Sequence, residues 1–147
     1  MSLFQKIEED LKLALKNREE LTVSTLRFLI SAIKNQEIEK QRELSDEEVI
    51  QILQRQIKQR RESMAAFQSG GREDLALKEK RELEILSKYL PQQLTPKELE
   101  EIVKEVIAML GPTQKDFGKV MGQVMVRVKG RAEGSLVSQT VKEALGI

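Results

Sequence analysis

The stretch Ser45-Asp-Glu-Glu-Val-Ile-Gln-Ile-Leu-Gln-Arg-Gln-Ile-Lys-Gln-Arg-Arg-Glu-Ser-Met-Ala-Ala-Phe-Gln-Ser-Gly-Gly71 decides the fold. It opens on a Ser-x-x-Glu box, in which the serine hydroxyl caps the amide three residues on and the glutamate reaches back. It then carries Val49, Leu53, Ile57, Met64 and Phe67 as one narrow stripe at helical spacing and stops at Ser69-Gly70-Gly71. A narrow stripe calls for a single neighbour. The next segment, from about Arg72 to Leu90, supplies Ala76, Leu83, Leu86 and Leu90 at matching spacing and ends at Pro91. The short glycine turn between them forces the two helices antiparallel.

Outward from this pair the hydrophobic period stays helical, and no short stretch alternates as a half-buried strand does. The expected fold class is all-α: an N-terminal helical unit with a long antiparallel hairpin, then a C-terminal three-helix bundle. A first helix, about Leu3 to Asn17, aligns Leu3, Ile7, Leu11, Ala14 and Leu15 behind Ser2 as N-cap. A second, about Glu20 to Gln41, is apolar over a wider arc that includes Leu21, Leu26, Phe28, Leu29, Ile30, Ala32 and Ile33. Its first half is expected to be the buried hub, and its polar second half to project. Thr95-Pro-Lys-Glu98 is another capping box with proline at the first helical position, and it follows a Pro-Gln-Gln connector. Residues 1–94 and 95–147 are therefore expected as separate domains. In the second, helices are expected at about Pro96 to Leu110, Lys115 to Lys129 and Ser135 to Leu145, the first stopping at Gly111-Pro112.

Composition narrows the chemistry. The 147 residues contain neither cysteine nor histidine, which removes thiolate nucleophiles, the commonest metal ligands and the commonest neutral-pH base. No cofactor and no metal are expected. Basic and acidic side chains nearly balance, 25 against 24, so net charge names no partner. There is no run long and apolar enough to span a membrane, and Met1-Ser-Leu-Phe-Gln-Lys-Ile-Glu-Glu-Asp10 is too acidic and amphipathic for a signal peptide. The expected location is cytoplasmic.

Two local clusters of cations stand out. Arg55, Lys58, Arg60 and Arg61 follow one another with no acid between Glu48 and Glu62. They can form a phosphate groove, or pair across the hairpin with Glu79, Glu82 and Glu84. Pairing is preferred, with Arg60 or Arg72 against Glu79. Around the sixth helix, Lys115, Lys119, Arg127, Lys129 and Arg131 face only Asp116. Gly118 and Gly122 lie one turn apart there, each costing about 1 kcal/mol against alanine. Gly130 and Gly134 flank the following turn. Such glycines permit close approach of another backbone or ligand, and the start of the seventh helix adds partial positive charge, which suits a phosphate. In the plainer reading Gly130 is a helix cap, Gly134 completes a turn, and Met121, Val124, Met125 and Val128 are core, which is the preferred reading of those four. No catalytic residues are assigned, since Ser24, Ser31 and Ser63 lack a histidine base and a Ser-Lys pair arises by chance in so lysine-rich a chain.

The order of several short motifs carries more than spacing does. Leu26-Arg27 with Lys34, Lys58-Gln-Arg60 with Glu62-Ser63, Gly71-Arg72 with Asp74-Leu75 and Lys78-Glu79, Tyr89-Leu90-Pro91, Gly118-Lys-Val-Met121 and Gly130-Arg-Ala-Glu-Gly134 together resemble, end to end, the YqeY family. These are small bacterial proteins related to the GatB-type tail domain of the glutamyl/aspartyl-tRNA amidotransferase. One departure is Glu133, where the family's turn has aspartate.

The resemblance implies a second unit similar to the tail that touches tRNA, and places the chain near carbon-nitrogen ligation with glutamine as nitrogen donor. The chain shows neither a Mg-ATP site nor a Gly-Ser-rich amidase signature. Three functions follow as expectations. The favoured one is an accessory module that binds tRNA, or a tRNA complex with an amidotransferase or an aminoacyl-tRNA synthetase, through Lys119, Arg127, Lys129 and Arg131. The others are a helical adaptor docking protein through Met121 and Met125 or the hairpin, and a direct share in amide transfer.

Overall fold

The computed structural model of the chain describes residues 1–111 and 116–147. Among these residues the fold is all-α, with helices α1 (Leu3–Lys16), α2 (Glu20–Lys40), α3 (Asp46–Ser69), α4 (Glu73–Ser87), α5 (Pro96–Leu110), α6 (Phe117–Val128) and α7 (Gly134–Leu145). The expected stop at Pro112 and start at Lys115 lie outside the described residues. Contacts divide the chain into two units, Met1–Leu90 and Pro91–Ile147.

In the first unit, local capping sets where helices begin. Ser2 and Gln5 form a reciprocal box at α1, and Ser45 and Glu48 form one at α3. The Glu48 carboxylate also receives both terminal nitrogens of Arg42, at 2.7 and 2.9 Å, and Lys40 Nζ at 2.6 Å. These donors, Arg42 first, hold its carboxyl far below the usual range. The link staples the end of α2 to the start of α3, across a turn where Gln41 adopts φ 56°.

The core gathers Ile7 of α1, Leu26, Leu29, Ile30 and Ile33 of α2, Val49, Ile52, Leu53 and Ile57 of α3, and Leu86 of α4. α2 is its hub, but Phe28 is not part of it. The expectation that Phe28 is buried is corrected, since the residue is 55% exposed. Leu15, expected on the buried stripe of α1, is exposed as well. The cause at Phe28 lies in neighbours that the period of α2 cannot report. Arg60 of α3 reaches over the ring at 5.4 Å from its centroid, and its Nη1 pairs with Glu79 at 3.4 Å and Glu82 at 3.0 Å on α4.

α3 and α4 pack together around the turn after Ser69, where Gly71 takes φ 73° and Arg72 N donates to Phe67 O at 2.8 Å. α4 ends at Ser87, short of the expected Leu90. Tyr89 N and Leu90 N turn back to Leu86 O and Ser87 O, tightening the last turn, and Tyr89 Oη donates to Asp10 Oδ2 at 2.6 Å. Burial of the phenol, aided by that bond, raises the tyrosine's pKa.

The second unit is a valine-rich three-helix core. Leu99, Val103 and Val106 of α5 meet Val120, Val124 and Val128 of α6, Val137 and Val141 of α7, and Ala132 from the turn. Thr95 caps α5 with Glu98 in the reciprocal position and Pro96 at the first helical residue. The connector joins this unit through Leu94 N, which donates to Arg131 O at 2.7 Å, and through the Gln93 amide, which donates to Pro91 O at 2.8 Å and Gly130 O at 3.1 Å.

Candidate nucleic-acid interface

α6 has one buried and one open side, and the open side has two halves. Val120, Val124 and Val128 recur every four residues and face the core, with Phe117 and Met121 beside them. At 100° per residue, Gly118, Gly122, Met125 and Val126 share half of the open side, while Lys119, Gln123 and Arg127 share the other. Met125, expected in the core with Met121, Val124 and Val128, is corrected to the surface: it lies about 100° from Val124, the centre of the valine row, and is 39% exposed beside Val126, which is 63% exposed.

Among the described residues, Gly118 and Gly122 admit no other part of this chain. A Cβ added to Gly122 would meet nothing within 4 Å, and one added to Gly118 would meet only Asp116 Oδ1, at 3.5 Å. The space beside them is open to a partner.

The four cations expected to bind phosphate have unequal freedom. Lys119 is exposed and only loosely paired, its Nζ 3.9 Å from Asp116 Oδ2, while the Asp116 carboxylate caps α6 by accepting Lys119 N at 2.8 Å. Arg127 Nη2 meets Glu105 Oε2 of α5 at 2.6 Å, an exposed pair. Lys129 is the left-handed cap of α6, φ 45°, and its side chain is exposed. Arg131 folds back on the helix it follows, its Nε donating to Val128 O at 3.1 Å and its Nη2 to Arg127 O at 2.9 Å. It satisfies carbonyls that a helix end leaves open and sits where a cation favours the dipole.

Of the turn glycines, Gly130 has φ 81°, which favours glycine, and Gly134 opens α7 with its Cβ position in open space. Glu133 stands at the N-cap of α7 with no side-chain capping bond, as its longer side chain than aspartate's would suggest. Lys115 lies outside the described residues.

The α3 cations do not form a common row. Arg60 points inward to Glu79, Glu82 and Phe28, whereas Arg55, Lys58 and Arg61 are exposed. Arg60, and not Arg72, is the partner of Glu79; Arg72 pairs with Asp74 at 3.4 Å. Two features escaped the sequence reading: the capping role of Arg131, signalled by a cation just past a helix end, and the Gln93 bridge, for which the sequence offers no signal.

Comparison with known proteins places the chain. The relatives it matches include three fungal proteins named altered inheritance of mitochondria protein 41, mitochondrial. The protein of Pyrenophora tritici-repentis is 31% identical over 96% of this chain and 80% of its own length. That of Saccharomyces cerevisiae strain YJM789 is 30% identical over 80% of this chain and 68% of its own. That of Vanderwaltozyma polyspora is 29% identical over 92% and 77%. These names overturn the cytoplasmic expectation. It rested on the lack of a long apolar run and on the first ten residues, which are largely α1, whose Leu3, Phe4 and Ile7 pack on the core, so that their amphipathicity reports that packing. Among the described residues no helix is long and apolar enough to cross a membrane. The family model described as Yqey-like protein matches residues 4–145, and the chain belongs to the YqeY family.

Proposed function

We propose that the chain is a non-catalytic module that docks a folded RNA of the tRNA class, alone or on an enzyme that handles it, through the open side of α6. The observation that carries this reading is the pairing of two glycines that face open space, Gly118 and Gly122, with two exposed lysines, Lys119 on the same helix and Lys129 at its C-cap. A phosphate backbone can come close where Cβ atoms are missing, and the lysines then lie beside it as mobile point charges. Arg127 is a third contact that exchanges Glu105 for phosphate. Arg131 supports the site by holding the end of α6. The likeness to the amidotransferase tail supplies the class of RNA; the names of the fungal relatives state no ligand.

The test is fluorescence anisotropy of labelled tRNA at two salt concentrations, with a double-stranded RNA control. Two or three phosphate contacts give a slope of log K against log salt of about −2 to −3. K119A/K129A should remove roughly two units of that slope. Binding no tighter than the control overturns the reading.

A second reading has its own observation. Met125 and the 63% exposed Val126 lie on the same side of α6, an apolar patch that suits a protein partner. If M125A/V126A abolishes an association that K119A/K129A leaves intact, the adaptor reading replaces the RNA one.

A further inference from the structure

The first unit carries an open groove of about 650 Å³ between the end of α1 and the first half of α2. Its apolar lining includes Leu15, Val23 and Phe28, and its rim includes Arg18, Arg27 and Glu20. Leu15 and Phe28 expose large apolar surface to solvent here, whereas Leu26, Leu29, Ile30 and Ile33 of the same helix as Phe28 are buried.

Phe28 is exposed but not isolated. Arg60 lies over its ring, and that guanidinium pairs with Glu79 and Glu82, which links the side chain to α3 and α4. A large side chain already in contact before binding loses less freedom than an isolated one, which suits a hot-spot anchor. From Glu20 to Phe28, α2 rises about 12 Å, a little over two helical turns. Anchors along such a length match side chains at i, i+3 or i+4, and i+7 of another helix.

Charge chooses the kind of helix. Among the described residues Arg18 and Arg27 are exposed and have no carboxylate partner, in contrast to Arg42, Arg60 and Arg72 of the same unit, which do. The groove is also too open to enclose a small ligand, since small-molecule sites bury most of their occupant. One face of the ring already carries Arg60, which leaves a poorer platform for stacked bases than a free aromatic would be.

The geometry points to this groove as the docking site for an amphipathic helix of a protein partner, with leucine-type side chains seated against Leu15, Val23 and Phe28 and acidic residues beside Arg18 and Arg27. The site belongs to the first unit and is independent of the RNA reading of α6.

Two labelled synthetic helical peptides of the same apolar pattern test it, one flanked by glutamates and one by lysines. The acidic peptide should bind with a Kd on the order of 10 μM and at least tenfold tighter than the basic one. Amide shifts in the full chain should centre on Leu15, Val23 and Phe28. F28A should weaken the acidic peptide about tenfold, with its thermal midpoint measured alongside. R18E/R27E changes only exposed residues and should reverse the preference between the two peptides. Equal binding of the two peptides, a preference that R18E/R27E leaves unchanged, or a single-stranded RNA that shifts the same amides when the acidic peptide does not, each overturns the proposal.

Discussion

Replacing Arg60 by alanine gives the sharpest test of how the first unit is held. Its guanidinium lies between two carboxylates whose side chains are only 15% and 9% exposed, Glu79 and Glu82. Both ion pairs are sheltered enough that removing the cation strands negative charge, which costs about 3–5 kcal/mol for a buried pair. Glu79 can turn outward and recover part of this, while the lost contact with Phe28 adds roughly 0.5 kcal/mol. The expected loss is about 3 kcal/mol. With a urea m-value of about 1.5 kcal/mol/M, the midpoint falls by about 2 M. The assay is clean because Tyr89 is the only tyrosine and there is no tryptophan, so intrinsic fluorescence reports the first unit while far-UV circular dichroism reports both. The triple change R60L/E79L/E82L should lie within about 1 kcal/mol of the parent, because it removes the whole set instead of orphaning two members. A loss under about 1 kcal/mol for R60A, or an equal loss for R55A/K58A on the exposed face, would refute the reasoning.

Glu48 predicts an acid transition in the same unit. Its folded-state pKa lies below the unfolded one, so its stabilisation is complete above about pH 4.3 and is lost as pH falls further; E48Q should flatten the Tyr89 midpoint between pH 5 and 2, and a parallel fall in both proteins would assign the transition elsewhere. G118A and G122A should each stabilise the second unit by about 0.5–1 kcal/mol, since the added methyl groups have room. The same variants should weaken tRNA binding, and unchanged affinity would show that close approach is not what these glycines serve. R131A should destabilise the second unit by about 1 kcal/mol through its lost capping bonds while leaving the salt slope of RNA binding within half a unit; a full unit's drop would make Arg131 a phosphate contact.

Where the controlling interaction is local, the sequence was a good guide. Ser45 with Glu48 and Thr95 with Glu98 open helices where the capping pattern placed them, because both partners lie within one turn. The apolar period likewise picked out Val124 and Val128 of α6, but it passed over Val120 and added Met125, which is exposed. It failed at the edges of wide arcs. α2 offers Leu26, Phe28, Leu29, Ile30 and Ile33, more apolar surface than its neighbours can cover, and the period cannot say which member is left out. Phe28 is that member because Arg60, 32 positions further on, prefers two carboxylates and a ring to water.

Cations show the same division. Sequence displays a charge but not its partner, and the partners of Arg60 and Arg127 lie 19 to 22 residues away, on Glu79, Glu82 and Glu105. Counting basic residues therefore overstates any phosphate site by the number already engaged. Arg131 was recoverable, because a cation within a few residues of a helix end has carbonyls in reach. After this correction the α6 face retains Lys119 and Lys129 as its freest charges, beside glycines that no described part of the chain fills. A site with so little fixed charge relies on close approach as much as on electrostatics, which is why the glycine variants, and not the lysine variants alone, decide whether α6 binds RNA.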